Sequence, residues 1–368
     1  MRRVRRSNKR HERKGAGMET YLPDAATRQA WRKRAQEESQ SARRAFWRST
    51  PELPSRPADA HKGTFGTALA IGGSRGMSGA IALSGMSSLV SGAGLARVAV
   101  PSAIQETVAQ FGREYTTIAC PSDAEGRFGD EALEPLLAES SRATAVAIGP
   151  GLGRSETLDW LVTELFFELE RPAVFDADAL NALASSGVFH EGDPRYRGRF
   201  PKGDRVLTPH PGEFERLAGV KPTRVAALRR ETSFQWLRDW AGRFYGESSG
   251  VARSNRLPAT LLLKGSGTVV SSLTFPKVGG HKIKQTVNQT GNANLATGGS
   301  GDVLTGIIAG LMAQGMTIGD AARAGAALHG VAAELRATIV SRGAVAGDVI
   351  RFLPAAFDYY EHARSACR

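Results

Sequence analysis

The chain has 368 residues, of which 41% are hydrophobic, and a formal charge of +12 at pH 7. Such a chain can bury a sizeable core, and this composition excludes general disorder. No apolar run approaches the roughly 18 residues of a membrane span. Two cysteines, Cys120 and Cys367, cannot build a disulfide framework, and there is no CxxC pair to hold zinc. The expected setting is a reducing cytoplasm without membrane attachment.

The charge is concentrated at one end. Residues 1–50 contain 15 Lys/Arg against 5 Asp/Glu, so +10 of the total lies there and the remainder is nearly neutral. Residues 1–17 almost lack apolar positions and are predicted to be disordered. Residues 20–48 carry spaced apolar positions (Leu22, Trp31, Phe46, Trp47) and read as a surface helix. Three prolines between Pro51 and Pro57 read as an extended linker. The division expected is therefore a basic, disordered tail over 1–50 and a folded domain over 51–368. A basic arm can hold phosphates non-specifically, but a solvated appendage is the plainer reading, and nucleic acid is not expected as a partner.

From His61 onward, short apolar runs alternate with helical patterns. Runs at 68–71, 96–100, 145–148, 173–176 and 206–208 each end in Gly, Pro, Asp or Thr. Helical candidates lie near 155–168, 177–184 and 223–242. The alternation predicts βαβ units and a mostly parallel sheet covered on both faces. Ligands of such sheets bind beyond the carboxyl ends of the strands, where the special residues of this chain cluster. Segments 189–204 and 245–257 are polar, rich in Gly or Pro and aperiodic, so they read as inserted surface loops.

The most informative stretch is GNANLATGGSGDVLTGIIAGLMAQG at 291–315. Small residues run straight into an apolar helix, with Val303, Leu304, Ile307, Ile308, Leu311 and Met312 at helical spacing. Gly306, Gly310 and Ala313 allow close backbone approach. Glycines before a helix leave its first N–H groups free for an anion, and the helix dipole adds to the attraction. Gly299, Ser300 and Gly301 are the candidate anion hole. Asp302 at the same helix start can take a proton from a hydroxyl nucleophile; as a plain helix cap it would satisfy backbone donors instead.

GGSGD before an apolar helix resembles the anion-hole motif of ribokinase-like kinases, in which the Asp is the catalytic base. Further motifs follow in the order of one branch, the NAD(P)H-hydrate dehydratases: HKGTFGTALAIGGSRGMSGA (61–80), AIGPGLG (147–153), VFDADALNAL (174–183), LTPHPGEFERL (207–217) and LLLKGSGTVV (261–270). The resemblance covers roughly residues 58–355. It implies a ribokinase-like three-layer α/β/α fold with a mostly parallel central sheet. It also implies a lyase that uses ADP with Mg²⁺ to dehydrate S-NADHX or S-NADPHX, releasing AMP and phosphate. By the same resemblance Asp302 is the base. Ala80, Gly151, His210 and Asp302 contact the substrate, while Lys264, Gly265, Ser266, Gly267, Thr268 and Gly301 bind the nucleotide.

The residues themselves leave some alternatives open. Lys264 with a Gly-Ser-Gly turn fits a phosphate or ribose site, or an ordinary hairpin. His210 is held between Pro209 and Pro211, with Glu213 opening a helix. Asp176 and Asp178 either line a polar cleft, positioning Mg²⁺ through water, or cap a helix; Asn181 is equally ambiguous. No dedicated metal ligand set is expected, and the absence of a Gly-Lys pair excludes a Walker A loop. The two inserted loops suggest an altered cleft rim. The basic tail is too small to be the epimerase domain of the family's bifunctional members, so a separate epimerase chain is expected, as is a homo-oligomer. Rival readings are a vitamin kinase sharing the GSGD core, and a phosphate- or RNA-binding protein acting through the tail.

Overall fold

The computed structural model describes residues 43–368 except 190–192, 221–225, 247–250, 253–254, 279 and 340, together with Gln29 and Lys33; at 226–228 only the backbone is described. The expectations for residues 1–17, and for most of 20–48, fall outside these residues.

The strands in chain order are β1 (Thr67–Ile71), β2 (Leu95–Pro101), β3 (Thr116–Cys120), β4 (Ala145–Ile148), β5 (Ala173–Phe175), β6 (Arg205–Leu207), β7 (Ala259–Leu263), β8 (Val269–Thr274) and β9 (Lys282–Val287). The helices are α1 (Arg44–Ser49), α2 (Ser78–Val90), α3 (Gln105–Ala109), α4 (Leu133–Ser141), α5 (Glu156–Glu168), α6 (Asp178–Ser186), α7 (Pro211–Ala218), α8 (Ala226–Tyr245), α9 (Ser300–Ala313), α10 (Ile318–Ala337) and α11 (Ala346–Cys367). All five apolar runs are strands, and the three helical candidates are α5, α6 and α8, with 223–225 outside the described residues.

One sheet of nine strands runs β3-β2-β1-β4-β5-β6-β7-β8-β9. Neighbours from β3 to β7 are parallel, and β8 and β9 fold back antiparallel. Alternate residues of each strand face opposite layers. Ala68, Ala70, Ala145, Ala147 and Val174 face the layer of α2, α9, α10 and α11. Leu69, Ile71, Val146, Ile148 and Phe175 face the layer that holds α5 to α8. The small side chains on the first face let α9 lie close over the strands. α9 also crosses α2 tightly: a Cβ on Gly306 would fall 2.2 Å from the carbonyl oxygen of Ser84, so only glycine fits there.

Chain order reverses between β1 and β4, whose carboxyl ends therefore open a crevice at the topological switch point. The inserted segments lie elsewhere. Residues 187–204 join α6 to β6 and residues 246–258 join α8 to β7, which places both at the amino ends of the strands. The first packs rather than floats: Tyr196 stacks on Phe167 at 5.8 Å, and Arg199 makes paired hydrogen bonds of 2.8 and 2.9 Å to Glu164. The expected change at the cleft rim is thus corrected, because helix-to-strand connections run on the edge opposite the strand ends that open the crevice.

The boundary drawn at residue 50 also needs correction. Trp47 on α1 is fully buried, edge-on to Tyr360 of α11 at 5.7 Å. Tyr360 Oη donates to the Pro51 carbonyl at 2.7 Å, and Arg364 and Arg323 donate to the carbonyls of Thr50 and Ser49. Two aromatic residues within a basic stretch were enough to dock it. Trp47→Ala should lower unfolding free energy by about 3–5 kcal/mol, and removal of residues 1–50 should destabilise the protein comparably. Urea melts of the two variants against the full chain check this.

Candidate active site

The site is built where β1, β4, β5, β6 and β7 end. Beyond β1 and β4, two glycine-rich loops zip together: Gly73 N–H donates to the Pro150 carbonyl at 2.8 Å, and Ser74 Oγ to the Gly151 carbonyl at 2.9 Å. Gly151 has φ +66, and a Cβ there would lie 2.6 Å from the Met77 carbonyl oxygen and 3.1 Å from the Ala80 side chain. Ala80 and Gly151 thus touch across the switch-point crevice. One turn beyond Ala80, Ser84 Oγ donates to the Asp302 carbonyl at 2.8 Å, which ties the start of α9 to this wall.

β5 ends in Asp176-Ala177-Asp178. Ala177 has φ 49 and ψ −119, the single positive φ of a non-glycine among the described residues. Such a conformation costs about 1–3 kcal/mol and persists where the surroundings impose it. Here it sends the two carboxylates to different tasks. Asp178 accepts from Gly153 N–H at 2.9 Å and from Asn181 at 3.3 Å, holding the β4 loop. Asn181 in turn accepts from Arg216 at 2.8 Å. Neither Asp176 nor Asp178 serves as a side-chain cap of α6.

Asp176 is buried and accepts from Lys264 Nζ at 2.6 Å and from Thr305 Oγ1 at 2.7 Å. Gly301 lies over this pair, since a Cβ there would be 3.3 Å from Lys264 Nζ. Lys264 also stands 3.9 Å from Glu213. Burial works against the ammonium charge, but Asp176, Glu213 and Asp302 outweigh it and hold the lysine above its ordinary pKa.

His210 caps α7. Its Nδ1 accepts from Gly212 and Glu213 N–H at 3.0 and 3.3 Å, and Glu213 returns the bond from the His210 N–H at 2.7 Å. The reciprocal pair is a capping box with His in the usual Ser or Thr role. Burial, with Lys264 and Arg216 nearby, holds the imidazole below its ordinary pKa. Buried Glu213 is pushed up to about 7, chiefly by burial.

The KGSGT segment is the turn of the β7–β8 hairpin, and Lys264 points into the site rather than to solvent. Arg229 of α8 donates to the Ser266 and Gly267 carbonyls, and Thr268 Oγ1 donates to the Gly265 carbonyl at 2.9 Å. These bonds hold the carbonyls of the turn in place.

Asp302 occupies the first turn of α9, after Gly299 with φ 85. Burial first, then the charge of Asp176, raises its carboxyl from 3.8 to about 7, while Lys264 pulls the other way. The structure brings Asp302, Gly301, Lys264, Ala80, Gly151 and His210 to one edge. Thr305, the closeness of Lys264 to Asp176, Arg229, and His329 behind Ser300 were not singled out from the sequence. Thr305 alone had a signal there, standing one helical turn after Asp302.

A carboxyl that titrates near 7 when folded and near 3.8 when unfolded holds its proton more tightly in the folded chain. Stability contributed by this group is present below about pH 4 and is lost as pH rises toward 7. Asp302→Asn should therefore melt above wild type at pH 8, and the difference should vanish near pH 4; thermal melts across that range test the sign.

Residues 68–354 match the NAD(P)H-hydrate dehydratase family. A bifunctional NAD(P)H-hydrate repair enzyme from Moorella thermoacetica is 41% identical over 304 residues, covering 82% of this chain and 51% of that protein. The chain thus spans about half the length of the bifunctional relatives it matches. An ADP-dependent (S)-NAD(P)H-hydrate dehydratase from Neisseria meningitidis is 35% identical, covering 80% of this chain and 86% of the relative. The crystal structure of an ADP/ATP-dependent NAD(P)H-hydrate dehydratase from Bacillus subtilis, co-crystallised with ATP/Mg²⁺, superposes with a TM-score of 0.61 at 28% identity, covering 86% and 97% of the two chains. With the motifs in family order and the match extending over most of the folded body, the chain belongs to the NAD(P)H-hydrate dehydratase family.

Proposed function

We propose that the chain dehydrates the S forms of NADHX and NADPHX at the expense of ADP, with Asp302 as the base. The observation that carries this reading is the placement of Asp302. A half-buried carboxylate with raised proton affinity stands in the first turn of α9, one turn before Thr305 and within reach of the charge of Lys264. General bases work best when their pKa lies near the working pH, and the surroundings of Asp302 move it there.

In this reading Asp302 takes the proton from the C6 hydroxyl of the hydrate. The oxygen forms a bond to the β-phosphorus of ADP as the bond to the AMP oxygen breaks. The anion hole of Gly299, Ser300 and Gly301 receives the charge on the moving phosphoryl group, with the Ser300 N–H, which donates to the Thr297 carbonyl at 3.3 Å, shared or released. The C6–O bond then breaks with release of phosphate, the ring nitrogen supplies electrons, and loss of the C5 proton restores the dihydropyridine. Atoms balance as hydrate plus ADP giving the reduced cofactor, AMP and phosphate. Phosphorylation matters because hydroxide is a poor leaving group and phosphate a good one.

The remaining groups bind. Ala80 and Gly151 form a side-chain-poor wall for the flat nicotinamide ring, and His210 marks the rim of the same edge. Lys264, the Gly265–Thr268 turn and Gly301 take the nucleotide. No cluster of three or more His, Cys, Asp or Glu suited to a metal exists among the described residues, and Asp176 is already bonded to Lys264 and Thr305. A magnesium ion would be carried here mainly by nucleotide phosphates and water, and Asp178 or Asp302 would be the residues to accept from its waters. It would supply charge neutralisation for the phosphates. No described helix is long and apolar enough to cross a membrane. Partnership with a separate epimerase chain and self-association remain part of the proposal.

Two measurements test the reading. Recovery of reduced-nicotinamide absorbance from purified hydrate should be faster with ADP than with ATP, with AMP accumulating; equal or faster turnover with ATP at saturation would overturn the ADP preference. Asp302→Asn should keep ADP affinity while kcat falls by roughly 10²–10⁴. A folded, ADP-binding variant with near-normal turnover would remove Asp302 from the chemistry.

A further inference from the structure

Helix α10 backs the whole segment that leads into the anion hole. Asn288 Nδ2 donates to the Ala326 carbonyl at 3.1 Å, Thr290 Oγ1 to the Ala327 carbonyl at 3.0 Å, and Asn292 Nδ2 to the Ala333 carbonyl at 3.1 Å. Gly291 N–H donates to Glu334 at 2.8 Å. These bonds satisfy polar groups along a loop and need no further role. The contact one step later is different in kind. Ser300 Oγ, on the first residue of α9, lies 3.2 Å from Nε2 of His329, and both residues are buried.

The place is an unexpected one for an imidazole. Every other buried residue of α10 is alanine, glycine, valine, leucine or isoleucine. A polar ring in such a stripe costs stability unless it is hydrogen-bonded, and Ser300 supplies the bond. Burial lowers the imidazole to a pKa of about 4, so at neutral pH the ring carries one N–H and one lone pair. Ser300 has one hydroxyl hydrogen to place. If Nε2 accepts it, the hydrogen points into the core; if Nε2–H donates to Oγ, the hydrogen is free for the cleft. A phosphoryl oxygen is a stronger acceptor than neutral imidazole, which favours the second arrangement when an anion is present.

We infer that His329 is a positioning residue: its Nε2–H donates to Ser300 Oγ and turns the Ser300 hydroxyl hydrogen toward the anion at the start of α9. Ser300 then supplies a side-chain donor, its own N–H donating to the Thr297 carbonyl at 3.3 Å, and an uncharged ring behind it fixes that donor without competing for the phosphoryl charge. This rests on the phosphoryl-transfer reading above.

A double-mutant cycle tests it, with hydrate turnover under saturating ADP as readout. Ser300→Ala and His329→Leu should each lower kcat by about 10–100-fold, within or below the range for loss of one oxyanion donor, while KM for ADP changes by less than about threefold. The double variant should be no slower than Ser300→Ala alone, because His329 acts through that hydroxyl. His329→Gln, which keeps a donor nitrogen, should recover most of the loss. Thermal melts establish folding, and if His329→Leu does not fold, His329→Asn, too short to reach Ser300, takes its place in the cycle. An undiminished kcat in Ser300→Ala, or an equal loss from the residue 329 change with and without the Ser300 hydroxyl, would overturn the assignment. An inactive wild type would overturn the phosphoryl-transfer reading and this assignment with it; failure of the cycle with an active wild type overturns the assignment alone.

Discussion

A single ammonium, Lys264 Nζ, stands among three acids at the edge of the sheet, and it cannot serve them equally. Asp176 takes it at 2.6 Å, Glu213 stands at 3.9 Å, and Asp302 feels its charge without an ion pair to it. In a partly dry site, Coulomb attraction falls off slowly, but burial penalises every unpaired charge. Asp176 is therefore held as a bonded structural acid, with Thr305 on its other oxygen. Asp302 is left with too little compensation and a raised proton affinity. The same unequal sharing that costs stability raises the proton affinity of one carboxylate to near neutral pH.

That arrangement depends on backbone proximity that side chains would prevent. Gly301 leaves room above Lys264, and Gly306 allows α9 to press against α2 at Ser84. Through Ser84 the carbonyl of Asp302 is tied to the helix that also carries Ala80, which links Asp302 to the proposed ring-binding wall. The strained Ala177 separates two neighbouring acids, one turned under α9 and the other toward the β4 loop. Long connections, by contrast, lie where they disturb none of this: the polar segments that lengthen the chain join helices to the amino ends of strands.

The outer parts of the fold hold the site from behind. α10 takes the hydrogen bonds of the segment at 288–300, and α11 is covered by α1 through Trp47. A stretch dominated by positive charge thus ends in a docked aromatic residue, since burying one indole among Tyr359 and Tyr360 outweighs the surrounding tendency toward solvent.

Periodicity and punctuation in the sequence determined the alternating architecture, the five central strands, the parallel sheet and the glycine-rich helix start that carries Asp302, because these follow from local spacing and from where small residues permit exposed N–H groups. Ordered motifs pointed to the family and to the residues at the strand ends. What the sequence left open was which polar groups meet. Asp176 and Lys264 are 88 residues apart, and Ser300 and His329 sit on different helices, so nothing in their local patterns records the contact. The same limit explains the tail boundary and the inserted loops: charge and composition describe how a segment meets water, whereas burial of Trp47 and the side of the sheet on which a loop emerges are decided only when the helices and strands pack.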